Sequence, residues 1–100
     1  MSDDPKLPLR TACVNWFDGK IHVRVYTTDG FNVIERAIDQ PNTAWVTTGF
    51  KQPGAEVSAT AWLAPDGAHI RVYCTLDDMT TEWCSDPGTP GWTKGGYTPT

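Results

Sequence analysis

The sequence predicts an all-β chain made of two copies of one four-stranded unit. Three observations carry this. The first is a repeat. His22-Val23-Arg24-Val25-Tyr26 returns as His69-Ile70-Arg71-Val72-Tyr73, and Glu35, Trp45 and Gly49 return as Glu82, Trp92 and Gly96, all at an offset of 47 residues. The second is the near-absence of helix signals, since prolines at 41, 53, 65, 87, 90 and 99 leave no room for a long helix. The third is that short runs rich in Val, Ile, Thr, Tyr and Trp alternate with turn clusters.

In the first copy, strands are expected near Thr11–Phe17, Ile21–Thr28, Asn32–Ile38 and Ala44–Phe50. In the second they are expected near Ser58–Ala64, His69–Leu76, Thr80–Ser85 and Gly91–Tyr97. The turns are Asp18-Gly19, Asp29-Gly30 and 39–43, answered by Pro65-Asp66-Gly67, Asp77-Asp78 and 86–90. Asp-Gly pairs favour tight hairpins because both central positions tolerate positive φ. Residues 1–10 read as a loosely attached lead-in, 11–50 as the first unit, 51–57 (with Pro53-Gly54) as the linker and 58–100 as the second unit.

Four short antiparallel strands in about 47 residues match the blade of a β-propeller. A unit this small buries too little surface to stand alone. Repeat folds need roughly three or more units to close a continuous core. Two units in one chain therefore point to self-association. A trimer would close six blades and a dimer four, and six is the favoured number because it lies well inside the usual range.

The net charge of −4 and the isoelectric point near 4.8 argue against nucleic acid as the main partner. The polar start of the chain has no apolar signal-peptide core, and no run approaches the roughly 20 apolar residues of a membrane span. Synthesis in the cytoplasm without membrane insertion is expected, and release by a route needing no cleavable signal stays open. Cys13, Cys74 and Cys84 form no C-x-x-C pair. They read as buried free thiols, with a Cys74–Cys84 disulfide as the alternative.

Side chains alternate faces along a strand, so Arg24 shares a face with His22 and Tyr26. The short turn at Asp29-Gly30 brings Glu35 to a similar height on the next strand, and Arg71 and Glu82 repeat the arrangement. Such a couple can be a plain ion pair. It can also be half of a sugar site, because pyranose hydroxyls need paired donors and acceptors. Trp45 and Trp92 open the fourth strands after Pro/Thr/Gly-rich loops, at the rim of each unit, where a ring can stack on the C–H face of a sugar. Trp16 and Trp62 in the first strands read as packing residues. So does Trp83, whose counterpart is Arg36. His22 and His69 read as strand residues beside the site, since neither copy supplies enough ligands for a metal.

At this level of detail the chain resembles the fungal fucose-specific lectins. The likeness lies in Val23-Arg24-Val25-Tyr26, Ile34-Glu35-Arg36, Ile70-Arg71-Val72-Tyr73, Thr81-Glu82-Trp83-Cys84 and Gly91-Trp92-Thr93-Lys94-Gly95. It is nearest to the small bacterial-type members with two blades per chain, and it covers about residues 11–98. The resemblance implies a homotrimeric six-bladed propeller that binds L-fucose and fucosylated oligosaccharides or glycoproteins between blades, with no catalysis, cofactor or metal. It implies one site in which Arg24, Glu35 and Gly49 meet Trp92 and Ser85 of the same chain. It implies a second in which Arg71, Glu82 and Gly96 meet Trp45 and Ile38 of a neighbouring protomer. Close relatives carry a second Trp three residues after the Glu, where this chain has Ile38 and Ser85. Ile38 can still meet the fucose methyl group. Ser85 does so poorly, which weakens the within-chain site.

Two other readings compete. A glycoside hydrolase needs two carboxylates flanking one bond. Each site offers one Glu beside an Arg, with Asp39 and Asp86 in nearby loops. A structural or protein-binding propeller would use Arg and Glu as ion pairs and Trp45 and Trp92 as interface anchors.

Overall fold

A computed structural model describes residues 10–98. The lead-in expected at 1–10 lies, apart from Arg10, outside the described residues. The chain forms eight strands: β1 (Arg10–Phe17), β2 (Ile21–Thr28), β3 (Asn32–Asp39), β4 (Val46–Pro53), β5 (Glu56–Ala64), β6 (Gly67–Leu76), β7 (Met79–Ser85) and β8 (Thr93–Lys94). They build two four-stranded antiparallel sheets, ordered β1-β2-β3-β4 and β5-β6-β7-β8. Each sheet is a meander, which short turns between consecutive antiparallel strands allow. No helix among the described residues is long and apolar enough to cross a membrane.

The first three strands of each unit fall where the β-branched and aromatic runs place them. The fourth strands differ. β4 begins at Val46 and continues through Lys51, Gln52 and Pro53, beyond the expected end at Phe50. A register shift between Ile34 and Arg36 absorbs the offset. Pro53 is tolerated because β4 is the sheet edge and needs no ladder donor there. β8 shrinks to Thr93–Lys94, because Gly91 takes φ +73° and Gly95 and Gly96 break the run.

The β6–β7 hairpin turns through Asp77 and Asp78 with φ of 52° and 63°. Positive φ at both central positions is the mark of the turn that matches strand twist. An L residue there costs roughly 1–2 kcal/mol, although Asp tolerates it better than most. Asp77→Asn with Asp78→Gly should therefore raise stability by up to about 1 kcal/mol, read as a higher midpoint in urea unfolding.

One core joins the sheets. Val14, Tyr26, Val33 and Phe50 of the first pack with Ile70, Val72 and Cys74 of the second, and Trp16, Trp83 and Trp92 pack against that cluster half-buried. Val33 and Val72 are fully buried, each worth about 1.5–3 kcal/mol of transfer free energy. The connection between sheets is drawn tight at Gly54. A β-carbon there would lie 2.8 Å from Val33 Cγ2 and 3.1 Å from Cys74 Cβ. The Gly54 carbonyl also accepts the Thr28 hydroxyl. Cys74 and Cys84 are buried free thiols, whereas Cys13 is exposed, contrary to the expectation for it. Burial raises the Cys74 thiol to about 11.

Register settles which faces meet. Arg24 lies opposite Ala37 and Tyr26 opposite Glu35, so His22, Arg24, Tyr26, Glu35 and Asp39 share one face of the first sheet. Tyr26 on that face packs against the second sheet. Ile70, Val72 and Cys74 answer from the second sheet. Two faces stay open. The first sheet's other side carries Val23, Val25, Arg36 and Ile38, and the second sheet's other side carries Arg71, Tyr73 and Glu82.

Candidate functional site

The repeated arginines do not pair with the repeated glutamates. Arg24 donates from Nη1 to Asp39 Oδ1 at 2.8 Å and from Nη2 to Asp39 Oδ2 at 3.3 Å, and Nη1 also reaches the Val23 carbonyl at 3.0 Å. Arg71 repeats this with Asp86 Oδ1 at 2.8 Å and the Ile70 carbonyl at 2.9 Å. The Arg–Glu ion pair that the spacing allowed is thus replaced by an Arg–Asp pair. Register does not decide this, since Glu35 opposite Tyr26 and Asp39 opposite His22 each lie one row from Arg24. The Glu35 oxygens are taken by the Tyr26 and Thr48 hydroxyls, and the guanidinium turns to Asp39. Each guanidinium also lies over an indole, Arg24 over Trp16 at 4.9 Å and Arg71 over Trp62 at 5.0 Å. Arg71 has one nitrogen tied to aspartate and carbonyl and Arg24 has two nitrogens tied, so each fork keeps N–H groups for a ligand, Arg71 the more.

A histidine braces each pair. His22 stacks on Trp16, with ring centroids 5.0 Å apart, and His69 stacks on Trp62 at 5.1 Å. His22 Nδ1 lies 2.6 Å from Asp39 and Nε2 lies 2.9 Å from Asp18. His69 Nδ1 lies 2.7 Å from Asp86 and Nε2 lies 2.9 Å from Asp66. Asp18 is four residues before its histidine and Asp66 only three, so the turn changes length while the contact persists.

Both imidazoles are held above their ordinary value. Asp39 and then Asp18 stabilise the charged form of His22, and Asp66 and then Asp86 do so for His69. Partial burial works to raise Asp39, but hydrogen bonds from Arg24 and His22 bring it below its ordinary range; Arg71 and then His69 lower Asp86. A raised histidine stabilises the fold fully below its ordinary value of 6.5 and loses that contribution as pH rises through its folded value. A lowered aspartate contributes above 3.8 and loses it as pH falls through its folded value. Thermal stability should therefore be highest between about pH 4 and 6.5 and should fall as pH rises above about 6.5 through the raised histidine values. The His22→Gln/His69→Gln double variant should flatten that fall, as seen in midpoints from scanning calorimetry.

The two glutamates are held differently. Glu35 is 4 % exposed. Its Oε2 accepts the Tyr26 hydroxyl at 2.6 Å and its Oε1 accepts the Thr48 hydroxyl at 2.7 Å. Glu82 is half-buried, with Oε2 accepting the Tyr73 hydroxyl at 2.7 Å and Oε1 accepting the Tyr97 backbone N–H at 3.2 Å. Burial and then the Glu35 charge push the Tyr26 phenol far upward, and the Glu82 hydrogen bond raises Tyr73, so both remain donors at ordinary pH.

The aromatic partners also separate. Trp92 is half-buried against the first sheet, 4.6 Å from Phe50 and 6.4 Å from Tyr26 by ring centroids. Expected at the rim and away from the core, it instead packs against the core cluster between the two units. Trp45 is 51 % exposed and borders a shallow apolar hollow with Val25 and Arg36 on the open face of the first sheet. Ser85, opposite Ile70, lies on the face that meets the first sheet, and Ile38, opposite Val23, lies on the open face. Gly49 and Gly96 are exposed. Arg24, Glu35, Trp92 and Ser85 thus gather at the contact between the sheets. Arg71, Glu82 and Gly96 lie apart from Trp45 and Ile38, on the opposite open face of the chain.

Sequence reasoning passed over Asp18, Asp66, Tyr26, Tyr73 and Thr48 as site residues. Tyr26 and Tyr73 were detectable, since they recur with the arginines two residues away. Thr48 carried no repeat signal because its counterpart is Gly95.

Chemically, each unit offers guanidinium donors, a carboxylate acceptor and a nearby flat ring. The lowered Asp39 and Asp86 are ionised at neutral pH and poorly suited to donate a proton to a leaving group. Among the described residues, no group of His, Cys, Asp and Glu is arranged to hold a metal ion. Scanned against protein-family models and against curated proteins, the chain finds no match.

Proposed function

We propose that the chain is a multivalent lectin for L-fucose and fucosylated glycans, assembled as a homotrimer into a six-bladed propeller. One observation carries the reading. Arg, Glu and Trp recur together at one spacing, and in the first sheet Arg24 and Glu35 share the face against which Trp92 of the second unit packs. Pyranose recognition uses that combination of donor fork, acceptor and ring.

Assembly follows from the same equivalence. The open face with Val25, Arg36 and Trp45 is the repeat counterpart of Val72, Trp83 and Trp92, which pack against the first sheet. The open face with Arg71, Tyr73 and Glu82 is the counterpart of Arg24, Tyr26 and Glu35, which receive that packing. A second chain can therefore dock its first sheet on this chain's second sheet, head to tail. Such heterologous contacts close into a ring when the rotation permits. Closure also protects the sheet edges. Several weak sites on one rigid body raise avidity by making later contacts intramolecular.

The structural-module reading draws on one observation, the burial of Trp92 between the sheets. It makes Trp45, whose ring is exposed in the single chain, an anchor for a neighbouring chain. Calorimetric titration with L-fucose decides between them. Saturable heat supports the lectin, whereas no heat at millimolar sugar for the folded oligomer overturns it.

A further inference from the structure

The repeat is broken at one position that touches a site carboxylate directly. Thr48 and Gly95 are counterparts at the common offset. In the first unit the Thr48 hydroxyl stands between a backbone donor and the carboxylate. It accepts from the Phe50 N–H at 3.3 Å and donates to Glu35 Oε1 at 2.7 Å. In the second unit that link is missing, and the Tyr97 N–H, counterpart of Phe50 N–H, reaches Glu82 Oε1 directly at 3.2 Å. Gly95 also makes room: a β-carbon there would overlap the Glu82 carboxylate.

The consequences for the carboxylates are opposite. Glu35 has both oxygens taken by hydroxyl donors of its own chain and is buried. Glu82 has one hydroxyl donor, on Oε2, and its Oε1 holds only a long bond from a backbone N–H. A ligand hydroxyl arriving at Glu35 must displace or share with Thr48, whereas one arriving at Glu82 meets no competing hydroxyl on Oε1. A hydroxyl that donates to a carboxylate from within the protein is the same chemical group that a sugar would present.

Resting on the lectin reading above, we propose that Thr48 acts as a built-in competitor, making the Arg24/Glu35 site the weak one and leaving Arg71/Glu82 as the site that carries affinity. The hydroxyl that satisfies Glu35 in the free chain is the cause. Residue 48 is thus an affinity-determining position, and the trimer presents sites of two strengths.

The experiment is calorimetric titration of L-fucose into wild type, Thr48→Gly, Thr48→Ala, Thr48→Ser and Gly95→Thr, each first checked for wild-type mass and circular dichroism. Wild type should show one tight site per chain, with the other at least about tenfold weaker, the scale of one charge-assisted hydrogen bond. Thr48→Gly and Thr48→Ala should bring a second site per chain into the tight class. Thr48→Ser keeps the hydroxyl and should match wild type. Gly95→Thr should weaken the tight site by at least about tenfold, because its β-carbon displaces the Glu82 carboxylate in addition to bringing a hydroxyl. Two equal sites in wild type, or no gain in either hydroxyl-free variant, overturns the proposal and leaves the lectin standing. No heat with any folded variant overturns the lectin reading and this proposal with it.

Discussion

Arg71→Ala is expected to remove L-fucose binding from the open-face site while the chain still folds and assembles as wild type does. Arg71 donates to Asp86 and to the Ile70 carbonyl and lies over Trp62, which fixes its fork toward the open face. Its side chain is 21 % exposed and Asp86 is 29 % exposed, so water can take up the aspartate once the guanidinium is gone. The stability cost should accordingly stay near the zero to one kcal/mol of a solvent-accessible pair, about 1 kcal/mol at most. Losing a charged donor to a sugar hydroxyl removes a hydrogen bond worth about 1.5–3 kcal/mol, or roughly 10- to 150-fold in affinity. Titration calorimetry and native mass spectrometry on the same sample read both quantities. A structural role for Arg71 gives the reverse pattern, with weakened assembly and unchanged sugar binding.

The second large effect concerns stability. Tyr26→Phe should cost about 2–3 kcal/mol, because it strips a charge-assisted hydrogen bond from a carboxylate that is 4 % exposed and has no water to replace the donor. The ring itself stays, so its contacts with Phe50 and Trp92 survive and the packing term is small. Tyr73→Phe makes the identical chemical change in the second unit, where Glu82 is only half-buried. There solvent substitutes for the hydroxyl, and the cost should stay below about 1 kcal/mol. Paired urea unfolding curves measure the difference directly. Equal costs would mean that Glu35 is not isolated from water.

Much of the fold was legible in the sequence, and the reason is local. Val, Ile, Thr and aromatic runs between Asp-Gly turns fixed β1 to β3 and β5 to β7 to within a few residues, because those strands pair with sequence neighbours across short turns. The fourth strands were harder. They follow longer loops, 40–45 and 86–92, than the short turns between the other strands, and with a register shift between Ile34 and Arg36 β4 runs three residues beyond its expected end. The site was legible as a face and not as a set of bonds. Alternation put His22, Arg24 and Tyr26 together, and the turn put Glu35 beside them; Asp39, read as a loop residue, instead ends β3 on the same face. Glu35 and Asp39 lie one row either side of Arg24, so periodicity does not say which the arginine takes; that follows from the Tyr26 and Thr48 hydroxyls already held by Glu35. Thr48 was invisible for a different reason: it matters because it departs from the repeat, and a search for recurrence passes over departures.

The central claim is that Arg71 and Glu82 of one chain are completed by Trp45 of the next. A mixed-chain experiment tests it most directly. Trp45→Ala chains retain Arg71 but offer no ring to a neighbour; Arg71→Ala chains retain Trp45 but no guanidinium. Each variant alone should lose the between-chain site. When the two are unfolded together and refolded at equal ratio, about a quarter of the between-chain junctions should unite an intact Arg71 with an intact Trp45. Fucose binding should return at those junctions, above the level of either variant refolded alone. Binding in the mixture no greater than the average of the two parents would contradict the claim.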